Sequence, residues 1–184
     1  PSRYGVAELD GNAIVGFQEK PVAGKEKSNL INAGTYLLES EVLAMIPAGR
    51  KVSVEREIFT QLAGAGLHGF PFAGSWIDAG TPGSFLAANA MLLEREATAA
   101  HPGASVRGNA LIAADAEIAS SIVGPDTVIG PGVSLDRCVI RRSVLLAGAS
   151  ATGAVIEDCI LGPGVAVEGD RSRMVLAAEG ELRF

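Results

Sequence analysis

From Val106 to about Val167, single apolar residues return every six positions, with small or turn-forming residues between them. Val106, Ile112 and Ile118 keep a strict step of six. Val123, Ile129, Leu135, Ile140, Leu145, Ile156, Leu161 and Val167 continue it with some steps of five, and the rung near Ala151 is ambiguous. Neither the period of 2 of a two-faced strand nor the 3.6 of a helix produces that spacing. Three six-residue units, each a short strand plus a corner, close one coil of a parallel β-helix, so the stretch predicts about four coils. Ile122-Val123-Gly124, Val128-Ile129-Gly130 and Ile160-Leu161-Gly162 repeat one element: an inward side chain followed by a glycine. Between Glu96 and Arg183 there is no Phe, Tyr or Trp, as a narrow tube filled by stacked aliphatic layers requires. An antiparallel sandwich of short Gly/Pro-bounded strands is the competing reading. A solenoid needs its ends covered, which makes Glu179 to Phe184 a candidate cap.

Before residue 96 the pattern changes. Tyr4 to Glu8 alternates as a half-buried strand, and Asp10-Gly11 turns into a second strand over Ala13 to Phe17. Leu30 to Leu38 and Leu67 to Phe72 read as further strands, with Val22 to Ser28 as a loop. Ser40 is a candidate cap for a helix over Glu41 to Ile46, and Ser53 for one over Val54 to Ala63. Thr81 as N-cap and Pro82 at the first helical position begin a helix to about Arg95, and Glu96 to Pro102 is the linker into the repeats. Strands and helices alternate here, but too few are present for a complete α/β domain.

The chain has 184 residues, 48% of them apolar, enough for a sizeable core and for the two-part division at about 1–98 and 99–184. The net charge of -6 contains no concentrated basic patch, which argues against a nucleic-acid partner. Cys138 and Cys159 read as small buried side chains rather than a disulfide or metal site, so a reducing, cytoplasmic setting is expected. No apolar run of 18 residues and no cleavable leader is seen, so no membrane association is expected. The chain opens at Pro1 directly into a strand, and the expectation is that it is the later part of a longer protein.

Three places in the first part could carry chemistry. Glu19-Lys20, followed by Pro21, offers an acceptor and a cation at a strand end, where a solvated surface pair is the plain alternative. Asn32 interrupts an apolar strand and either bonds backbone or reads a polar ligand, and Gly34 two positions on suggests a close approach of backbone or ligand. Asp78, in a Gly-rich turn before a capped helix, is a carboxylate able to hold a divalent ion or to serve the helix start. Glu55 and Glu57 are explained by their place in a helix first turn.

Taken in order, Phe17-Gln18-Glu19-Lys20-Pro21, Asn32-Ala33-Gly34-Thr35-Tyr36, Ser53-Val54-Glu55-Arg56-Glu57-Ile58-Phe59 and Gly74-Ser75-Trp76-Ile77-Asp78-Ala79-Gly80-Thr81-Pro82, followed by hexapeptide coils, resemble the sugar-nucleotide pyrophosphorylases over nearly the whole chain. The resemblance implies an α/β fold: the C-terminal part of a Rossmann-like nucleotidyltransferase domain, then a left-handed parallel β-helix. It implies transfer of a nucleoside monophosphoryl group from an NTP to a sugar 1-phosphate, with release of pyrophosphate. By the same resemblance Glu19 accepts from sugar hydroxyls, Lys20 meets the sugar phosphate, Asn32 and Gly34 line the sugar site, and Asp78 is one of two carboxylates for Mg2+. Lys20 and Asp78 are then the catalytic residues. The wording of Asn32 to Tyr36 and the long coil domain favour GTP and mannose 1-phosphate over thymidylyl or uridylyl transfer to glucose 1-phosphate. The family's Gly-rich nucleotide loop and second carboxylate match nothing in this chain, so the N-terminal half of the catalytic domain is expected to be missing and the chain alone inactive. A homo-oligomer, most simply a dimer, is also implied. A hexapeptide acyltransferase would need a histidine base, and His68 and His101 lie outside the regular repeats. A non-catalytic regulatory subunit and a purely structural solenoid complete the alternatives.

Overall fold

In the computed structural model, which describes residues 1–95 and 100–169, Gly11 and Asn12 turn β1 (Gly5–Asp10) back into β2 (Ala13–Glu19). The two strands pair antiparallel from Gly5 opposite Glu19 to Asp10 opposite Ala13, with a bulge where Glu8 faces Gly16 and Leu9 faces Ile14. Val6 is fully buried and Ile14 nearly so. The expected strands at Leu30 to Leu38 and Leu67 to Phe72 do not form ladders. Each segment is tied to the hairpin by a single bridge, Ile31 to Val6 and His68 to Ala13. A strand needs a neighbour along its length to pair its N–H and C=O groups, and among the described residues neither segment meets one.

The helical expectations hold in part. α1 (Ser40–Ala44) is capped by Glu39 without a side-chain bond, so Ser40 lies inside the helix rather than before it. Ser53 does cap: its Oγ accepts from the Arg56 N–H at 3.3 Å. What it opens is a π-helical stretch, Val54–Phe59, passing into α2 (Thr60–Leu62) and burying Ile58 and Phe59. Residues to Trp76 make one compact unit, and a second begins at Ile77.

The second unit starts with α3 (Pro82–Leu93). Thr81 and Ser84 form a reciprocal capping box, Thr81 Oγ1 accepting from Ser84 N–H at 3.2 Å and Ser84 Oγ accepting from Thr81 N–H at 3.0 Å. The coils follow. β3 (Ala104–Val106), β4 (Ala110–Ile112) and β5 (Glu117–Ala119) make the first. β6 (Ser121–Val123), β7 (Thr127–Ile129) and β8 (Ser134–Asp136) make the second. β9 (Val139–Arg141), β10 (Val144–Leu145) and β11 (Ser150–Thr152) make the third. β12 (Val155–Glu157), β13 (Ile160–Leu161) and β14 (Ala166–Glu168) make the fourth. Each coil contributes one strand to each of three parallel four-stranded sheets, which removes the sandwich alternative. α3 packs against β7.

The rungs stack in the order the period predicts: Val106, Val123, Ile140 and Ile156 on one face, Ile112, Ile129, Leu145 and Leu161 on the next, Ile118, Leu135, Ala151 and Val167 on the third. Ala151 is a true rung, 2% exposed, whose small side chain blurred the pattern. At the five-residue corners one residue stands in the left-handed region: Ser120, Arg137, Arg142 and Asp158 with φ between 44° and 55°, and Gly153 at 65°. Six-residue corners turn on left-handed residues as well, among them Gly108, Gly132, Gly148 and Gly164, but four of the five shorter corners place a residue other than glycine there, at a cost of roughly 1 kcal/mol or more each.

The residue after each of the four offsets part of that cost by bonding back to the carbonyl just before the corner. Ser121 Oγ donates to Ala119 O at 2.7 Å and Ser143 Oγ to Arg141 O at 2.6 Å. Cys138 Sγ donates to Asp136 O at 3.3 Å and Cys159 Sγ to Glu157 O at 3.0 Å. The serine oxygens also accept from the next coil, from the N–H groups of Cys138 and Cys159. Both cysteines are therefore small buried corner residues, as their positions predicted. The expected cap at Glu179 to Phe184 and part of the linker lie outside the described residues. Among the described residues no helix is long and apolar enough to cross a membrane.

Candidate functional site

The end of the β1/β2 hairpin is built around a position without a side chain. Gly5 pairs with Glu19, and a Cβ placed on it would come within 2.6 Å of the Phe17 ring, 2.9 Å of Glu19 Oε2 and 3.2 Å of Asn32 Cβ. The bare backbone at Gly5 thus lets the Glu19 and Asn32 side chains converge. Asn32 N–H donates to Gly5 O at 2.8 Å, which fixes its segment beside the hairpin. Directly after Glu19, Lys20 takes φ +47°, an unusual conformation for a lysine, with its N–H on Tyr4 O at 3.2 Å.

Asn32 is spent on its neighbours. Its Oδ1 accepts from Gly34 N–H at 2.9 Å, closing a tight turn in which Gly34 has φ +77°. Its Nδ2 donates to Tyr36 Oη at 2.6 Å. The Tyr36 hydroxyl in turn donates to Glu55 Oε1 at 3.2 Å, and Ser53 Oγ donates to Glu55 Oε2 at 3.0 Å. Phe59 supports the group from below: the Tyr36 and Phe17 rings stand edge-on to it, with centroids at 4.8 and 5.7 Å. Trp76 Nε1 donates to Ala33 O at 3.3 Å, and its ring meets Tyr4 at 5.1 Å.

The electrostatics follow these bonds. The Glu55 carboxyl is held below its usual range by its own backbone N–H first, against the opposing effect of burial, with the Ser53 and Tyr36 hydroxyls and the charge of Lys20 adding to it. Burial pushes the Tyr36 hydroxyl up, and the negative charges of Glu55 and Glu19 push the same way while the Asn32 bond opposes them. Glu19, Lys20, Tyr36 and Glu55 are thus close enough to feel one another. Such a set, one amine and two carboxylates with oriented amide and hydroxyl groups, can bind a polyhydroxylated anion. Beside it lies an open, mainly apolar groove of about 750 Å³, lined by Leu9, Phe17, Leu30, Asn32, Phe70 and Trp76 among others.

Of the residues singled out by sequence, Glu19, Lys20, Asn32 and Gly34 fall in this one neighbourhood. Asp78 belongs to the second unit, exposed, with its Oδ1 accepting from Gly80 N–H at 3.0 Å. Among the described residues no group of three or more His, Cys, Asp or Glu converges as a metal site. Mg2+ takes hard oxygen ligands and only one or two protein carboxylates, so the open Asp78 carboxylate fits as one ligand without completing a site. Two members of the neighbourhood were missed. Tyr36 lies in the Asn32 to Tyr36 motif with no separate signal of its own, and the place of Glu55 in a helix first turn accounts for it without a site. Nothing in the local sequence announces the π-helical stretch that carries Glu55, a conformation frequent at functional sites.

Comparison with known proteins agrees with the resemblance seen in the motifs. The family model described as nucleotidyl transferase matches residues 1–95. The chain is 35% identical over 172 residues to mannose-1-phosphate guanylyltransferase of Mycobacterium tuberculosis, covering 85% of this chain and 45% of that protein. A probable mannose-1-phosphate guanylyltransferase 3 of Oryza sativa subsp. japonica is 35% identical over 158 residues, 78% of this chain and 43% of its own length. Mannose-1-phosphate guanyltransferase of Eremothecium gossypii is 38% identical over 127 residues, 64% and 34% respectively. The chain thus spans less than half the length of these curated relatives. With the family model matching more than half of its residues, the chain belongs to the nucleotidyl transferase family, in its sugar-nucleotide pyrophosphorylase branch.

Proposed function

We propose that this chain is the sugar-phosphate side of an enzyme that makes an NDP-sugar and pyrophosphate from an NTP and a sugar 1-phosphate, with GTP and mannose 1-phosphate as the substrates. The observation that carries the reading is the convergence of Glu19 and Asn32 over the bare backbone of Gly5, with Lys20 directly following Glu19, within the residues matched by the family model. The similarity to mannose-1-phosphate guanylyltransferases supports the choice of guanylyl transfer to mannose 1-phosphate.

In this reading Lys20 meets the sugar phosphate as a mobile point charge, and Glu19 accepts from sugar hydroxyls. Asn32 and the Gly34 backbone line the sugar. Phosphoryl-type transfer asks the protein mainly to position the oxygen nucleophile and to neutralise charge, and Lys20 does the second of these. Asp78 would hold Mg2+, which supplies further neutralisation at the phosphates. Residues 1–98 serve as the sugar-phosphate half and 99–184 as the coil domain, through which we expect a homo-oligomer in a reducing, cytoplasmic setting. Light scattering that returns a monomer mass at micromolar concentration would remove the oligomer.

The test is pyrophosphate release by the whole protein with GTP and mannose 1-phosphate, run beside dTTP or UTP with glucose 1-phosphate. The first pair is expected to win by kcat/KM, and a preference for the second overturns the substrate choice. The isolated 184-residue chain, which carries one proposed metal carboxylate and no Gly-rich nucleotide loop, is expected to be inactive with either pair.

A further inference from the structure

The Tyr36 hydroxyl joins the loop that holds Asn32 to the helical stretch that holds Glu55. It accepts from Asn32 Nδ2 at 2.6 Å and donates to Glu55 Oε1 at 3.2 Å. Asn32 and Glu55 are 23 positions apart on separate elements, so no backbone connection sets their spacing. The ring below the hydroxyl is located independently, edge-on to the buried Phe59 at 4.8 Å, so the hydroxyl is presented from a packed support. Ser53 and Tyr36 take one Glu55 oxygen each, so both carboxylate oxygens are held in place within range of the charge of Lys20. We propose that Tyr36 is a positioning residue of the sugar-phosphate site: its hydroxyl locks the Asn32 amide to the Glu55 carboxylate and so sets the spacing of the polar groups around Lys20. The proposal rests on the function proposed above and adds to it a residue that touches neither the phosphate nor the metal.

The consequences are specific. Without the hydroxyl, Asn32 keeps its turn bond to Gly34 and Glu55 keeps Ser53, so the local fold survives while the two halves of the polar wall lose their common reference. The loss falls on recognition of the sugar 1-phosphate, whose hydroxyls and phosphate span that wall. The nucleotide has no part in it.

Tyr36→Phe retains the ring on Phe59 and removes only the hydroxyl, so folding is preserved and the melting temperature serves as the control. In the whole active protein the substitution is expected to raise KM for sugar 1-phosphate about tenfold, with KM for the NTP held, and with the change larger in KM than in kcat. A lowered melting temperature with unchanged KM would mean that the hydroxyl serves only the fold, and would overturn the proposal. A double-mutant cycle adds a second readout: Asn32→Ala should cost markedly less in the Tyr36→Phe background than in the wild type, because both remove the same link. Additive effects overturn the proposal as well. A wild-type protein that accepts no sugar 1-phosphate defeats the underlying function together with the proposal. A wild-type enzyme that turns over normally beside an indistinguishable Tyr36→Phe defeats the positioning role alone.

Discussion

Leu135 and Leu37 are the same residue in two units with opposite fates: the first is 1% exposed inside the coils, the second 102% exposed on the first unit. The contrast extends around both. Inward rungs of the middle coils are almost wholly buried, whereas Phe70, Val22, Phe72 and Leu43 of the first unit stand 59% to 91% exposed. The difference lies in where each residue's neighbours are found. A coil stacks on the coil 16 or 17 residues away, so a solenoid completes its core with nearest neighbours. The strand-like segments at 30–38 and 67–72 have one bridge each to a two-stranded hairpin, and their apolar side chains line an open groove. Exposed apolar surface of this kind on a folded chain is the kind that a partner or a ligand covers, and the chain spans less than half the length of the relatives it matches.

The largest expected effect sharpens this contrast directly. Leu135→Ala should cost about 2–5 kcal/mol of unfolding free energy by leaving a cavity in a closed layer, while Leu37→Ala should stay within about 0.5 kcal/mol. Urea titrations of the two variants decide it, and equal losses would break the distinction between a finished and an open core. Next come the proposed reacting groups, where the effect should appear in catalysis and not in melting. Lys20→Ala should raise the requirement for sugar 1-phosphate and slow the chemical step, and Asp78→Asn should depress turnover at all sugar concentrations with only partial rescue by Mg2+. Each is expected to remove about 2–4 kcal/mol of transition-state stabilisation. A kcat/KM near the wild type in Asp78→Asn would take the metal role away from that turn.

Gly5→Ala is intermediate. The added methyl must displace Phe17, Glu19 and Asn32 together, so a cost of about 1–3 kcal/mol is expected from crowding. Weaker binding of sugar 1-phosphate should accompany it, readable by calorimetry. The smallest effect concerns pH. Glu55 is depressed in the folded chain, so its contribution to stability is present above the unfolded carboxyl value of about 4.3 and is lost as pH falls through the lower folded value. Melting curves collected from pH 6 to pH 3 should therefore drop more steeply for the wild type than for Glu55→Gln. Parallel curves would show that the carboxylate is not held by the bonds described.

Much of the coil unit was legible in the chain itself. Its rungs recur at a nearly constant interval, and each layer repeats the environment of the one before, so a one-dimensional pattern carries the three-dimensional neighbours. The Thr81-Pro82 helix start was equally legible, because a cap is satisfied within three residues. The left-handed corners at Ser120, Arg137 and Arg142 were not legible, because neither serine nor arginine announces that conformation. The motifs holding Glu19, Lys20, Asn32 and Gly34 could be read by order, but the convergence of Glu19 and Asn32 over Gly5 could not, since it depends on the antiparallel register of β1 and β2. Tyr36 and Glu55 lay further out of reach. Their bond joins positions 19 apart through a π-helical stretch, and a contact made by two side chains from separate elements leaves no periodic trace in the sequence. Local bonds and repeated layers are written along the chain, whereas the meeting of Asn32, Tyr36 and Glu55 is decided only when packing against Phe59 brings distant segments to one place.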